Sequence, residues 1–246
     1  MIELINVEKN FKHYEKNTRS VLTDINLKIN DGEFVAIMGE SGVGKTTLLK
    51  ILGVVDRDFL GDYLYNNIYL NRLKRKELLK FKQDTIEFIS QNYELLEALT
   101  VKENILFPIV CKNKDLQSVS SQKIVTLARI LNIEEILNDY PQEISNGQKQ
   151  RVAIVRSLVQ EPQILLADEP TSSLDSTNIK NFLELLKRRR VEKGTTILTT
   201  HSALVASHAD KVVFVKDGII FHQIYKGSLS NKDFYEKISQ AILLLT

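Results

Sequence analysis

A glycine-rich segment constrains the fold of this chain more than any other feature of its sequence. Residues 39–46 read Gly-Glu-Ser-Gly-Val-Gly-Lys-Thr and fit the pattern G-x-x-x-x-G-K-[ST]. The apolar run Phe34–Met38 before them predicts a buried strand, and the residues after Thr46 predict a helix. A strand, a glycine-rich turn and a helix N-terminus together indicate a phosphate-binding site, because backbone N–H groups and the helix dipole both attract anions.

The positions of this loop have separate expected roles in binding ATP. We expect Lys45 to reach the β- and γ-phosphates and to take part in catalysis, and the Thr46 hydroxyl to ligate Mg²⁺. The pattern alone arises by chance in about one chain in a hundred of this length, so its place between a strand and a helix supports the prediction. The other loop residues expected to contact the nucleotide are Gly39, Glu40, Ser41, Gly42, Val43, Gly44 and Thr47.

A second apolar run ends in two acids. Ile164–Ala167 is followed directly by Asp168 and Glu169. Ligands bind at the C-terminal ends of parallel strands, so we expect Asp168 to hold Mg²⁺, mostly through water. We expect Glu169 to act as the general base on the attacking water. The alternative, two acids that merely begin a surface loop, is equally good for this segment alone, but the phosphate-binding loop favours the first.

The remaining apolar runs predict an α/β fold with a parallel sheet flanked by helices. Buried strands are predicted at Thr195–Leu198 and Val212–Val215, and the alternating residues 2–7 and 25–29 predict an antiparallel edge. The pair Asp217-Gly218 between two apolar runs predicts a hairpin.

Two segments predict helices. Residues 92–144 predict a mostly helical insertion between strands of the core, with one apolar face formed by Ile124, Leu127, Ala128 and Leu131. The end of the sequence predicts a closing helix whose apolar stripe is formed by Phe234, Ile238, Ala241, Ile242 and Leu245.

Composition excludes several classes of protein. Hydrophobic residues at 43% and charged residues at 26% are typical of a folded globular protein, and a net charge of +2 gives no reason to expect a nucleic acid as partner. The single cysteine, Cys111, excludes an intrachain disulfide and a thiolate zinc site. Without an apolar run of about 18–20 residues or a signal-peptide pattern at the N-terminus, we expect a cytoplasmic protein.

With these motifs the sequence resembles the ABC ATPase family over almost its whole length. Residues 144–148, Ile-Ser-Asn-Gly-Gln, stand where family members carry a signature near Leu-Ser-Gly-Gly-Gln. Residues 172–175, Ser-Ser-Leu-Asp, resemble the D-loop of the family, and Gln91 and His201 stand at the positions of the Q-loop glutamine and the switch histidine. The resemblance implies a single P-loop NTPase domain over 1–246, with a core of about 1–91 and 160–246 and a helical subdomain of about 92–159.

The resemblance also implies roles for these residues. Gln91 is expected to contact nucleotide and Mg²⁺, and His201 to sense the γ-phosphate. Phe11 resembles the aromatic residue that stacks on adenine, with Tyr14 as an alternative. Without the resemblance, each residue has a plainer alternative. Gln91 fits an ordinary loop amide, His201 fits a structural histidine, and Phe11 fits a core residue.

The signature implies a homodimer. Ser145 and Gln148 form the capping-box pattern S-x-x-Q ahead of a helix predicted from about Gly147 to Val159, and a capped helix N-terminus attracts anions. In the family two subunits pair head to tail, so Ser145, Gly147 and Gln148 are expected to contact the ATP held by the partner. Asn146 replaces the first signature glycine; asparagine tolerates left-handed backbone, although its side chain could crowd the partner's nucleotide. Because Gly147 is retained, activity is still expected.

The resemblance is strongest to cassettes of lipoprotein-releasing and macrolide or antimicrobial-peptide exporters. It implies that a separate transmembrane permease is the partner and that the chain lies peripherally on the inner face of the cell membrane. A cassette that signals through a membrane partner remains an alternative, because its ATPase would look the same. An ATPase acting on DNA or ribosomes fits less well, and the basic run Lys187–Arg190 is interpreted as a solvated helix end.

Overall fold

The computed structural model describes residues 1–12, 18–112 and 121–244. Two of the predictions, Tyr14 and Leu245, lie outside these residues, and the predicted helical subdomain is described except for 113–120. The strands within the described ranges are β1 Ile2–Lys12, β2 Thr18–Ile29, β3 Phe34–Met38, β4 Leu60–Tyr65, β5 Ile68–Tyr69, β6 Ile86–Ile89, β7 Ile164–Asp168, β8 Thr195–Thr199, β9 Lys211–Lys216 and β10 Ile219–Tyr225.

The helices lie mostly in the second half of the chain. The α-helices are α1 Lys45–Leu52, α2 Arg75–Thr85, α3 Val101–Cys111, α4 Ser121–Ile130, α5 Asn146–Leu158, α6 Ser176–Val191, α7 Ala203–Ala206 and α8 Asn231–Leu243. Short 3₁₀ turns occur at Leu70–Arg72, Glu134–Ile136 and Pro141–Glu143. Among the described residues, no helix is both long and apolar enough to cross a membrane.

The strands form two sheets. A four-stranded antiparallel sheet has the order β2-β1-β4-β5, and a six-stranded sheet has the order β10-β9-β3-β8-β7-β6. In the larger sheet β6, β7, β8, β3 and β9 are parallel, and β10 returns antiparallel to β9 across the turn at Asp217-Gly218. The predicted α/β fold, the antiparallel edge and the hairpin are therefore confirmed, with β10 making the larger sheet mixed rather than wholly parallel.

Strand β3 separates two hydrophobic cores. Phe34, Ala36 and Met38 pack into a cluster with the helices α3 to α6 and α8, whereas Val35 and Ile37 pack on the opposite side with α1 and the smaller sheet. All five residues of the strand are buried, as expected for a parallel strand covered on both faces. The larger sheet is thus the wall between the two cores.

The helical region after β6 packs on the first of these cores. Ile124, Ala128 and Leu131 are fully or almost fully buried, and Leu127 packs partly buried against the same cluster, as the predicted apolar face requires. In the closing helix α8, Phe234, Ile238 and Ala241 are buried and Ile242 packs at the edge of the cluster.

The helix predicted after the signature is present with its cap. Helix α5 begins at Asn146, and Ser145 Oγ accepts from Gln148 N at 3.3 Å while Gln148 Oε1 accepts from Ser145 N at 2.8 Å. The left-handed backbone that asparagine tolerates is not used by Asn146, since it is the first helical residue and has no positive φ.

The interpretation of Lys187–Arg190 as a wholly solvated helix end is wrong for one residue. Arg189 is only 8% exposed, and its Nη2 donates to Pro162 O at 2.9 Å and Thr195 O at 3.3 Å. Burial lowers the pKa of Arg189 to about 10. The side chain therefore joins α6 to the N-terminal ends of β7 and β8.

Replacing Arg189 tests this junction. Arg189→Met should lower the free energy of unfolding by about 1–3 kcal/mol, because buried carbonyl groups lose their donor. Urea unfolding measures the change. The matched control is Arg188→Met at the exposed neighbouring position, which should stay within about 0.5 kcal/mol of wild type; equal losses in both variants would contradict a structural role for Arg189.

Candidate active site

A cavity of about 200 Å³ lies at the C-terminal ends of β3, β7 and β8. It is lined by Val21, Ser41, Gly42, Gly44, Lys45, Thr46, Thr47, Gln91, Asp168, Glu169 and His201. Residues predicted separately from the glycine loop, from the two acids and from the family resemblance are thus brought together. A larger cavity of about 340 Å³ between α4 and the end of α6 contains none of the predicted site residues.

The glycine loop has no room for side chains at two of its positions. A Cβ atom at Gly39 would lie 2.2 Å from Val215 O, and one at Gly44 would lie 2.9 Å from Val21 O. Gly44 also has a φ of +106°, which L side chains rarely adopt. The loop therefore packs backbone to backbone between β9 and β2, and its helix α1 starts at Lys45.

Lys45 lies inside the loop that it follows. Its side chain is 7% exposed, and Nζ donates to Gly39 O at 2.8 Å and to Glu40 O at 2.7 Å. Nζ also lies 3.4 Å from His201 Nε2. Burial lowers the pKa of Lys45, and the nearby Glu169 and Asp168 carboxylates act in the opposite direction. The ammonium group is thus fixed at the wall of the cavity.

Thr199, which the sequence analysis did not single out, holds both acids. Its Oγ1 donates to Asp168 Oδ1 at 2.6 Å and accepts from Glu169 N at 2.9 Å. Thr199 ends β8 and pairs with Asp168 in the sheet. A hydroxyl residue at the end of a buried strand was the available signal, but its partners come from another strand.

Glu169 presents a carboxylate to the cavity. Its backbone has a φ of +46°, and its side chain is 16% exposed. Oε1 lies 3.2 Å from His201 Nε2 but, within the described residues, makes no aligned hydrogen bond. Burial raises the pKa of Glu169, opposed by the charges of His201 and Lys45. A carboxylate with a raised pKa and an unpartnered oxygen suits proton abstraction.

The predicted adenine contact and the signature lie outside this cavity. Phe11 is 47% exposed on β1, and Lys9 Nζ lies 4.9 Å from the centre of its ring. Ser145, Gly147 and Gln148 lie around the N-terminus of α5, away from the cavity-lining residues. A Cβ atom at Gly147 would lie 2.8 Å from Ser173 O, so a close backbone contact explains this glycine.

Comparison with known proteins identifies the class. Residues 22–172 match the family model described as ABC transporter, and the chain belongs to this family. It is an ATP-binding ATPase, as the sequence predicted.

Two curated relatives match nearly the whole chain. The ABC transporter ATP-binding protein YxdL of Bacillus subtilis is 39% identical over 246 residues, which are 100% of this chain and 94% of that protein. The bacitracin export ATP-binding protein BceA of Halalkalibacterium halodurans is 40% identical over 239 residues, which are 97% of this chain and 94% of that protein. The predicted similarity to exporter cassettes is thereby confirmed.

A solved structure has the same fold. The dimeric structure of the ABC transporter cassette MJ0796 has a TM-score of 0.85 and 35% sequence identity, and the match covers 92% of this chain and 98% of that chain. A dimeric structure of the same cassette in a post-hydrolysis state, bound to ADP and Pi, gives the same values.

The environment of Glu169 predicts a pH-dependent stability. Because the pKa of Glu169 is raised in the folded protein, the folded state binds this proton more tightly than the unfolded state, and the free energy of unfolding falls as pH rises between the ordinary and the raised pKa. Glu169→Gln removes this loss and should gain stability relative to wild type across that window.

Urea unfolding between about pH 4 and pH 7 measures the difference. The control is Glu236→Gln at an exposed position of α8, which should stay within about 0.5 kcal/mol of wild type throughout. A Glu169→Gln variant whose advantage is the same at every pH would show that the buried carboxylate is not the cause.

Proposed function

We propose that the chain hydrolyses Mg-ATP in the cavity at Lys45 and does so as a homodimer that drives a separate membrane permease. The observation that supports this most directly is the convergence on one cavity of a buried cation, a histidine and a carboxylate with one oxygen that makes no aligned hydrogen bond within the described residues. His201 Nε2 lies 3.4 Å from Lys45 Nζ and 3.2 Å from Glu169 Oε1.

The phosphate end of ATP would lie against the glycine loop. Backbone N–H groups of residues 39–46 and the N-terminus of α1 attract its oxygens, and Lys45 contacts the β- and γ-phosphates. Phe11, on the exposed face of β1, would stack on the adenine. Glu40 and Val43, which do not line the cavity, would contribute backbone contacts.

The donors in the cavity fit Mg²⁺. Thr46, Gln91 and Asp168 all line it and offer hydroxyl, amide and carboxylate oxygens, the hard ligands that Mg²⁺ prefers. Bound there, the ion would neutralise charge on the β- and γ-phosphates. Asp168, held by Thr199, would contact it mostly through water, and Thr46 and Gln91 directly.

Glu169 is assigned as the general base. Its free Oε1 would accept a proton from the attacking water as the water's oxygen bonds to the γ-phosphorus and the bond to the β-phosphate oxygen breaks. His201, whose Nε2 lies 3.2 Å from Glu169 Oε1 without an aligned hydrogen bond, would donate to the γ-phosphate and leave Oε1 to the attacking water.

The signature requires a second copy of the chain. Ser145, Gly147 and Gln148 lie outside the cavity of their own subunit, yet they form a capped helix N-terminus, which favours an anion. Head-to-tail pairing would place them over the ATP of the partner and exclude water from the reaction. The dimeric MJ0796 structures support this arrangement.

The remaining assignments follow the same proposal. The core of about 1–91 and 160–246 would carry the nucleotide, and the helical subdomain of about 92–159 would present the signature and contact the permease. The chain would then lie on the inner face of the cell membrane. The name of the relative BceA, a bacitracin export protein, supports export of a peptide, lipoprotein or drug as the task.

Glu169→Gln tests the mechanism. The variant should lose at least about 100-fold in ATP turnover, because the general base is gone, and it should accumulate as a dimer when ATP and Mg²⁺ are present. Phosphate release and light scattering measure the two effects.

Two controls make the result specific. Glu236→Gln should hydrolyse ATP like wild type, and Lys45→Ala should neither bind ATP tightly nor dimerise. Full hydrolysis by Glu169→Gln would reject Glu169 as the base. A variant that binds ATP but stays monomeric would show that the two subunits do not close without the permease.

A further inference from the structure

The loop that follows Gln91 has an uncommon backbone conformation. Tyr93 has a φ of +63° and Glu94 a φ of +51°. Neither residue is a glycine, and two successive non-glycine residues in the left-handed region persist only where neighbouring groups hold them. The contacts that hold this segment are therefore informative about how Gln91 is positioned.

Arg156 on α5 supplies the principal contacts. Its Nη1 donates to Glu94 O at 2.7 Å, and its Nη2 donates to Tyr93 O at 2.6 Å. The rigid fork of a guanidinium group fixes the relative position of two acceptors better than a single ammonium group does. The carbonyls of the two left-handed residues are thus bound by one side chain from the signature helix.

A second contact links the same loop to the segment after Glu169. Tyr93 Oη lies 3.0 Å from Ser173 Oγ, and Ser173 O is the atom that approaches Gly147 closely. The loop after Gln91, the segment around Ser173 and helix α5 therefore form a closed ring of contacts.

The other end of the loop is held independently. The side chain of Asn104 on α3 is 1% exposed, and it donates to Leu96 O at 3.0 Å and Leu99 O at 2.9 Å while accepting from Leu96 N at 2.8 Å. Loss of Arg156 would consequently free the part of the loop nearest Gln91 and leave its attachment to α3 in place.

We propose that Arg156 is a positioning residue for ATP hydrolysis, which fixes the loop carrying Gln91 to the helix carrying Ser145, Gly147 and Gln148. A movement of Gln91 then moves the N-terminus of α5, because the helix is rigid over the approximately 16 Å between Arg156 and Ser145. This inference rests on the proposed roles of Gln91 and of the signature.

A double-mutant cycle tests it. Arg156→Met removes both donors and keeps an apolar stem of similar length. It should lower ATP turnover by about 10- to 100-fold and leave the dissociation constant for ATP within about threefold of wild type, since the phosphate loop is untouched. In a Gln91→Ala background the same change should cost less than about twofold, because Arg156 acts through Gln91.

Arg189→Met is the matched control. Arg189 is also a buried arginine that donates to two backbone carbonyls. Those carbonyls lie at the N-terminal ends of β7 and β8, whereas the cavity lies at the C-terminal ends of these strands. It should reduce stability, leave turnover per folded molecule within about twofold of wild type and have the same small effect with or without Gln91. Arg156→Lys, which keeps a cationic donor group but loses the guanidinium fork, should recover part of the lost turnover.

Two further readouts do not depend on residual turnover. Backbone amides of residues 92–95 should exchange hydrogen faster in Arg156→Met than in wild type or Arg189→Met. In a Glu169→Gln background, Arg156→Met should raise the protein concentration needed for half-maximal ATP-dependent dimerisation.

The outcomes separate this inference from the proposed function. Suppose that Gln91→Ala lowers turnover and that Arg156→Met causes the same further fold-loss in this background as it does in wild type. Arg156 then does not act through Gln91, and the inference is overturned. An unchanged exchange rate at 92–95 overturns it as well. Wild-type turnover by Gln91→Ala rejects the assigned role of Gln91 and the inference with it, whereas continued hydrolysis by Glu169→Gln rejects the proposed mechanism.

Discussion

The hydroxyl group of Thr199 joins the strands on which the site depends. Thr199 is the last residue of β8, which lies between β3 and β7. Its hydroxyl group binds both the Asp168 carboxylate and the backbone N–H of Glu169. Asp168, which ends β7, and Glu169, which follows it, are thereby held beside the glycine loop that follows β3. Because successive side chains of a strand point to opposite faces, this arrangement requires one register of β8 and no other.

Burial shifts the pKa values of the cation and the carboxylate at this edge of the sheet in opposite directions. It lowers the pKa of Lys45 and raises that of Glu169, while the attraction between the two groups opposes both shifts. A site built this way brings a cation and a carboxylate, both partly removed from water, to one cavity. Their mutual attraction offsets part of the desolvation cost that either would carry alone.

The sequence predicted those parts of the structure that depend on neighbouring residues. Short patterns of polarity, spacing and turn chemistry predicted the strand Phe34–Met38, the capping box at Ser145 and the hairpin at Asp217-Gly218. Because ligands bind at the C-terminal ends of parallel strands, Asp168 and Glu169 could also be assigned to one site with the glycine loop. Gln91 and His201 were assigned to that site by the resemblance to the ABC ATPase family.

Contacts between distant segments were beyond such patterns. Nothing local distinguishes Arg189, which is buried, from the exposed Arg188 beside it, and nothing near Arg156 reveals the two carbonyls that it binds. Asn146 shows the opposite case, where the backbone tolerance of a residue type is not used, because the fold places the residue in an ordinary helical turn.

The division of β3 between two cores has a consequence for how the chain can vary in length. Odd-numbered and even-numbered side chains of this strand belong to different clusters, so substitutions of similar volume change one core at a time. An inserted or deleted residue would exchange the two sets and displace the glycine loop together with Lys45. Length differences among relatives should therefore gather in the loops between elements, and the interval from Phe34 to Lys45 should remain constant.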